Sequence, residues 1–428
     1  MPASEDLRPG AWLWWFWLFF IHDDQTARTG KCRQIMILWS IKLDKRIQCN
    51  RLDIQVPEPV RSIPAGGGSG ARHILDGATA AWYFDGKKMH DDFILEPGEM
   101  HLDPCARSLD APGLSFGSHS ARRAGDSTST SFRQEGEEFI TTIRTPQISF
   151  EFHARQSDTH PALGPTHNKT IFPAGLALVE GTRLERMDLS GFEFAGKMQE
   201  GSQGKEMAGR QEKTTGSGES GGLAKAAGRI NKKKIHGTAY FQKILMAAPP
   251  PQWYWGLYHF PDGSMATYMQ TYVGAATLKD NLGMAGLPLG GPALTPSRDI
   301  LIYHAPSRQV FEGHELEVKI EQVKEAKEGG KPRASTPSCG APRSSGPLYI
   351  HHLSGGGPGF RFSARARAHA HACWSFEKNI GVLPVRSAFK YNEYPAVLEK
   401  LEITPDAGPA IRLKMGWGNM ENSWGFLI

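Results

Sequence analysis

QWYWGLYHFPDGSMATYMQTYV, residues 252–273, carries the strongest structural signal in this chain. An Asp-Gly pair at positions 262 and 263 separates two segments rich in aromatic residues, which is a strong local signal for a β-hairpin. Three prolines at positions 249–251 hold the approach to the first segment extended and remove three backbone donors. This approach is therefore expected at a barrel rim or a sheet edge.

Large rings occupy both faces of the first predicted strand. Trp253, Trp255 and His259 share one face, whereas Tyr254 lies on the other. Tyr268 follows on the return strand of the hairpin. Such rings can fill the interior of a β-barrel, or they can line a cavity for an organic ligand, and the sequence leaves both interpretations open.

The composition indicates a globular β protein with more than one domain. At 428 residues the chain is too long for one core, and about two or three domains of ~100–200 residues are expected. Hydrophobic residues make up 39% and charged residues 22%, while 48 glycines and 29 prolines favour many turns and few long helices. Short apolar runs separated by turn residues, such as EEFITTIRT at 137–145, are typical of strands.

The alternating segment GFRFSARARAHAHACW predicts one continuous strand over residues 359–374. Its phenylalanines and alanines share a face with Trp374, and its histidines share the other face with Cys373. Histidines at alternate positions of one strand face can hold a metal ion. Arg365 and Arg367 on the same face would repel a divalent cation, so no metal site is predicted.

The charge distribution argues against nucleic-acid binding. Residues 196–235 contain nine basic and four acidic side chains, which accounts for the whole net charge of +5. This Gly-rich tract contains no aromatic residue that could stack on a base. It is interpreted as a solvated loop, and no nucleic-acid partner is expected.

The apolar run AWLWWFWLFFI, residues 11–21, is too short to cross a bilayer as a helix, because eleven residues span only about 16 Å. Acidic residues precede this run, so a secretory signal is the weaker alternative to a cytoplasmic location. The five cysteines form no CxxC pair and their number is odd, which favours a reducing compartment. Residues 1–72 are expected to form a poorly ordered N-terminal extension.

Four segments resemble the fungal Diels-Alderase group, which belongs with the hydroxyneurosporene synthase and AttH-like proteins. They are WYFD at 82–85, HGTAYFQK at 236–243, PPPQWYWGLYHFPDGS at 249–264 and KMGWGNMENSWGFLI at 414–428. The resemblance implies an all-β fold of two lipocalin-like β-barrel domains in tandem. The expected domains are 73–295, with loop insertions at 155–188 and 197–232, and 296–428.

The resemblance also suggests candidate site residues. Trp82, Tyr83 and Asp85 match an aromatic-acid motif of the family, and the hairpin motif contains three more rings. Catalytic roles are predicted for Asp85, Tyr83 and Tyr268. Substrate-binding roles are predicted for Trp82, Trp253, Tyr254, Trp255, His259 and Trp374, of which His259 and Trp374 are chosen from strand phase alone, as is Tyr268.

The expected function is that of an enzyme, a cofactor-independent pericyclase or cyclase acting on a hydrophobic polyketide or terpenoid intermediate of fungal secondary metabolism. A rigid aromatic cavity suits a pericyclic step, which needs a folded substrate conformer rather than a nucleophile. One alternative is an alkene hydratase whose pocket holds a water molecule beside Asp85 and a protonated alkene. Another is a non-catalytic lipocalin-like binder of hydrophobic ligands. A monomer with neither cofactor nor metal is expected, and the GxSxG and GxxxxGK[ST] motifs are missing.

Overall fold

The computed structural model describes residues 11–58, 60–64, 71–102, 115–118, 129–146, 148–156, 166–171, 178–194, 232–246, 252–272, 298–323, 348–379 and 386–427. Within these ranges the chain forms 24 strands and one short helix, α1 (Thr26–Thr29). The predicted all-β class is therefore confirmed. No helix of the described residues is long and apolar enough to span a membrane.

The first sheet contains twelve strands in the described part of the chain. Their bounds are β1 (Trp12–Ile21), β2 (Arg33–Lys42), β5 (Val60–Pro64), β6 (Ala71–Phe84), β7 (Met89–Leu102), β8 (Ser115–Ser118), β9 (Ser129–Glu135), β10 (Glu138–Arg144), β11 (Ser149–Gln156), β12 (Thr166–Ile171), β13 (Leu178–Phe194) and β14 (Lys232–Met246). The order is β8-β7-β6-β2-β1-β14-β13-β11-β10-β9, with β5 beside β6 and β12 beside β13. Its two ends meet, because β8 lies against β9.

The second sheet also contains twelve strands among the described residues. Their bounds are β3 (Arg46–Cys49), β4 (Leu52–Gln55), β15 (Gln252–His259), β16 (Met265–Tyr272), β17 (Arg298–His304), β18 (Gln309–Gly313), β19 (Glu315–Gln322), β20 (Tyr349–Gly357), β21 (Phe360–Ala368), β22 (Ala372–Asn379), β23 (Arg386–Pro405) and β24 (Ile411–Leu427). The order is β18-β17-β16-β15-β24-β23-β21-β20-β19, and β22 joins β23 to the β3–β4 hairpin. This sheet curls as well, since β17 and β18 approach β19 and β20. Two curled antiparallel sheets are the architecture expected of tandem lipocalin-like barrels.

The predicted hairpin at 252–273 is present as β15 and β16. Trp253 pairs with Thr271 and His259 pairs with Met265. The turn between the strands places Gly263 at a φ of 91°, a conformation that glycine adopts without strain. The prolines that precede β15 lie outside the described residues.

The N-terminal apolar run is a central strand rather than part of a poorly ordered extension. β1 lies between β2 and β14 and is buried on both faces. Trp15, Trp17 and Phe19 point into the interior of the first sheet, whereas Phe16 and Phe20 pack between the two sheets. A strand buried on both faces reads as a continuous apolar run without alternation, which explains the wrong prediction.

Two expected boundaries also differ from the structure. β12 and the first part of β13 are strands within the region that the predicted insertion at 155–188 covers. Nearly all of the predicted insertion at 197–232 lies outside the described residues. The expected division after residue 295 does not match the division between the sheets, because β15 and β16 already belong to the second sheet. The β3–β4 hairpin lies between strands of the first sheet in the sequence, yet it belongs to the second sheet, where β3 pairs with β22.

The strand predicted over 359–374 is broken. β21 ends at Ala368 and β22 begins at Ala372, and both pair with β23. Ala368 pairs with Ala396, and Ala372 pairs with Glu393. The chain therefore advances four residues from β21 to β22 while β23 advances only three. One extra residue turns the following side chains to the opposite face of the sheet. Trp374 therefore packs between the two sheets, whereas the rings of β21 point into the second sheet.

Candidate functional site

A cavity of about 100 Å³ lies between the two sheets. Four of its lining residues are tryptophans, and most of the others are apolar. Three polar or charged side chains, Arg183, Gln242 and Glu421, also reach its surface. The full lining is Trp12, Trp14, Phe16, Leu38, Arg183, Gln242, Ile244, Trp253, Trp255, Met269, Phe376, Tyr391 and Glu421.

The period of the strands places these side chains at the cavity. Alternate residues of β1, from Trp12 to Phe16, face the second sheet, and alternate residues of β15, Trp253 and Trp255, face back toward the first. β14 contributes Gln242 and Ile244 in the same way. The four tryptophans of the cavity thus come from two strands that are far apart in the sequence, while β22 and β23 add Phe376 and Tyr391.

Glu421 supplies a carboxyl group to this wall. Its backbone pairs with Trp255 on β15, and its Oε2 accepts the indole N–H of Trp253 at 3.2 Å. Burial raises the pKa of Glu421 to about 7, although hydrogen bonds from Tyr391 and Trp253 oppose this rise. A group with such a pKa can both give and take a proton at neutral pH.

A second buried carboxyl group, that of Glu393, lies directly beside the first. Glu393 on β23 is the cross-strand partner of Glu421 on β24. Its Oε2 accepts a hydrogen bond from the side-chain amide of Asn419. Burial, together with the charge of Glu421, raises the pKa of Glu393 well above its usual value. Two adjacent buried carboxyl groups cannot both ionise readily, so the pair retains a proton.

Arg183 brings a positive charge to the cavity. Its Nε lies 3.5 Å from Oε1 of the buried Glu185. Burial disfavours the charged guanidinium, but Glu185, Tyr240 and Asp299 outweigh this effect and raise the pKa of Arg183. The side chain therefore remains a cation and can polarise an oxygen atom of a bound molecule. The cavity combines apolar walls, a protonatable acid and a fixed cation.

Two of the predicted binding residues, Trp253 and Trp255, line the cavity. Trp82 and Trp374 belong to the same inter-sheet core, but neither is among the lining residues. Both are almost fully buried. The Trp374 ring lies against the wall, because its centroid is 6.4 Å from that of Phe376 and 6.5 Å from that of Tyr391.

Asp85 and Tyr83 lie away from the cavity lining. Oδ1 of Asp85 accepts the backbone N–H groups of Lys87 at 2.8 Å and Lys88 at 2.7 Å in the turn that follows β6. Partial burial disfavours the charge, but these bonds and one from His90 outweigh it and lower the pKa of Asp85. Tyr83 packs in the core of the first sheet. The hydrogen bonds of Asp85 are those of a turn-capping carboxylate rather than of a proton donor.

Tyr254 and Tyr268 point into the second sheet, and the Tyr268 hydroxyl is hydrogen-bonded to Nδ1 of His351 at 2.9 Å. His259 is buried between the sheets. Its Nε2–H donates to the main-chain oxygen of Glu185 at 2.8 Å, and its Nδ1 accepts from the hydroxyl of Thr238 at 2.7 Å. Both ring nitrogens of His259 are thus engaged in bonds that join the two sheets.

The predicted absence of a metal site stays a prediction. Nowhere in the described ranges do three or more His, Cys, Asp or Glu side chains gather in a group that could hold a metal ion. His371 is instead hydrogen-bonded to the side chain of Asn392 at 3.0 Å, and the ring of His369 lies 5.1 Å from that of Phe84.

Sequence reasoning missed Glu421, Glu393 and Arg183. Glu421 lies within a segment that carried the family resemblance, where Trp417, Asn419 and Glu421 share a strand face. This alternation was the available signal. Arg183 lies in the region predicted as a loop insertion, where no strand phase was assigned.

Among the comparisons with known proteins, the comparison with solved structures gives a match. No protein-family profile matches the chain, and no curated protein matches it. A solved structure of a Nitrosomonas europaea protein described as a putative AttH covers 98% of this chain and 93% of its own, with 11% identity and a TM-score of 0.41.

Proposed function

We propose that this protein is a cofactor-independent cyclase that confines an apolar, unsaturated organic molecule in the inter-sheet cavity. The observation that carries the proposal is a buried, protonatable carboxyl group, that of Glu421, on the wall of an aromatic cavity. The sequence resemblance suggests a polyketide or terpenoid intermediate of fungal secondary metabolism as the substrate. The reaction is then an isomerisation in which new C–C bonds form within one molecule.

The cavity residues suit such a reaction. A cycloaddition needs the reacting ends held together, and rigid walls such as Trp253 and Trp255 supply this orientation without a nucleophile. The protonated form of Glu421 donates a hydrogen bond to a carbonyl group conjugated with the alkene. This bond strengthens as charge develops in the transition state, so it favours the reaction over the bound ground state.

The size of the cavity sets a condition on binding. Its volume of about 100 Å³ is below the ~300 Å³ of a typical ligand pocket. A substrate must therefore widen it. Met269 and Trp14 are the lining residues best placed to move, because both are only partly buried and methionine adapts its shape readily.

A linear triene ester that carries a tethered alkene tests the proposal. The wild-type protein is expected to change the product ratio or the rate of cyclisation relative to buffer. Glu421→Gln should retain the stereochemical bias but react more slowly, whereas Ile244→Trp should block the cavity and abolish both effects. A product ratio and rate equal to those in buffer, for the wild-type protein with bound triene, would contradict the proposal for this substrate.

A hydratase is the second candidate, and the proton held by Glu421 favours it. Protonation of an alkene by Glu421 would be followed by attack of water on the carbocation, which adds H and OH across the double bond. Asp85, which the sequence suggested as the catalytic carboxyl group beside the attacking water, caps a turn instead. Incorporation of ¹⁸O from labelled water separates the two reactions, because cyclisation incorporates none. Recovery of the bound triene unchanged would indicate a carrier.

A further inference from the structure

We infer that Glu393 is a positioning residue whose carboxyl group stays protonated. Its O–H group donates a hydrogen bond to the carboxyl group of Glu421. This inference rests on the proposed function, since it explains what sets the pKa of Glu421, the acid of the cavity. Glu393 itself is not among the residues that line the cavity. It acts through its neighbour rather than on the substrate.

The strand register brings the two carboxyl groups together. Glu393 and Glu421 are opposite residues of β23 and β24, so their side chains lie on the same face of the sheet. Opposite Cβ atoms in an antiparallel pair are about 4.5–5.5 Å apart, within reach of a direct bond between the carboxyl groups. Both side chains are buried. The two carboxyl groups lie within hydrogen-bonding range of each other.

The hydrogen bonds of Glu393 account for a proton on one of its oxygens. Oε2 accepts from Asn419, and the Tyr391 hydroxyl approaches both carboxyl groups. The buried Oε1 nevertheless meets no donor in good hydrogen-bonding geometry among the described residues. A buried carboxylate oxygen without a donor is costly. If Oε1 carries a proton, it becomes a donor, and the carboxylate of Glu421 is the acceptor beside it. Glu421 also accepts from Trp253, which leaves each group with a partner.

The charges around the pair support the same assignment. β23 contributes Tyr391 beside Glu393, and β15 contributes Trp253; neither carries a positive charge. Across the cavity, Arg183 is already paired with Glu185, and Tyr240 lies beside them. Within the described part of the chain, no ion pair joins Glu393 or Glu421 to a lysine or arginine. Two negative charges here would be uncompensated, so one proton stays.

Carbon-13 NMR of glutamate-labelled protein tests the inference without a substrate. The Glu421 signal is assigned by its loss in Glu421→Gln, and its titration is followed in the wild-type protein, Glu393→Gln and Glu393→Leu. Glu393→Gln replaces one neutral donor by another, so the Glu421 titration should hardly move. Glu393→Leu removes the donor and should raise the pKa of Glu421. Unfolding curves establish that each variant is folded.

The opposite result has a distinct signature. If Glu393 were an ionised neighbour, both variants would remove a negative charge, and the pKa of Glu421 would fall by about one unit or more. That fall would overturn the inference. It would leave the proposed function intact, because the cyclisation assay depends on Glu421 and on the open cavity. If the activity is present, its pH profile should shift in Glu393→Leu and be restored in Glu393→Gln.

Discussion

The indole Nε1 of Trp253 lies 3.2 Å from Oε2 of Glu421 and donates a hydrogen bond to it. This bond joins the aromatic hairpin to the C-terminal strand that holds the acid. A donor to a carboxylate stabilises its charged form. Trp253, which forms part of the cavity wall, therefore also lowers the pKa of Glu421.

Trp253→Phe is expected to raise the pKa of Glu421, because the ring is kept while the N–H that stabilises the carboxylate is lost. The stability cost should be about 1–3 kcal/mol, the usual cost of an unmet buried hydrogen bond. Carbon-13 titration of Glu421 and urea unfolding measure the two effects. Trp255→Phe on the same strand face is the control, and equal shifts in both variants would refute a role for the Trp253 N–H.

Glu421→Gln should flatten the pH dependence of stability. The folded pKa of about 7 lies above the ordinary value of 4.5, so the folded state binds more protons between these values. The contribution of this group to stability is greatest below about pH 4.5, falls as the pH rises through 7, and levels off above that value. The slope from this group approaches about 1.4 kcal/mol per pH unit. Urea unfolding at pH 5 to 8 checks it, and an unchanged slope in the variant would count against a buried, protonated Glu421.

Trp17→Ala should destabilise the protein by about 3–5 kcal/mol, because the ring fills the core of the first sheet. Trp14→Ala is the matched control on the same strand, since its partly buried ring lines the cavity. Its cost should be clearly smaller. Thermal and urea unfolding measure both. Equal, small costs would indicate that residues 12–21 are not a central strand.

His351→Asn should make the protein less sensitive to acid. Burial, with a smaller effect of His352, lowers the pKa of His351 from 6.5 to about 3. The stability that depends on its neutral form is complete above pH 6.5 and is lost as the pH falls toward 3. Asparagine retains a polar partner for Tyr268 and does not titrate. Unfolding at pH 7, 5.5 and 4.5 tests this, with the exposed His314→Asn as control; a parallel loss in wild type and His351→Asn would contradict it.

The hairpin was predictable because its signals are local. An Asp-Gly turn and alternating rings determine the pairing of Trp253 with Thr271 without knowledge of the rest of the chain. The N-terminal strand was not predictable in this way. Its apolar run has no alternation, and only the presence of a second sheet against its outer face explains why both faces are buried.

The site was predicted only in part, since it depends on register. Trp253 and Trp255 were identified, but the acid beside them required the pairing of β15 with β24. Trp374 was assigned to the wrong face because one extra residue between Ala368 and Ala372 reverses the phase. A bulge of this kind leaves no mark in an alternating sequence.

Binding of 1-aminoanthracene, whose fluorescence rises in apolar surroundings, tests most directly whether the inter-sheet cavity holds an organic guest. The titration compares the wild-type protein with Ile244→Trp, which fills the cavity, and with Ile320→Trp, which adds the same ring at an exposed position on β19. We expect saturable binding to the wild-type protein and to Ile320→Trp, and its loss in Ile244→Trp with folding intact. Equal binding to all three proteins, or none to the wild-type protein, would contradict the account.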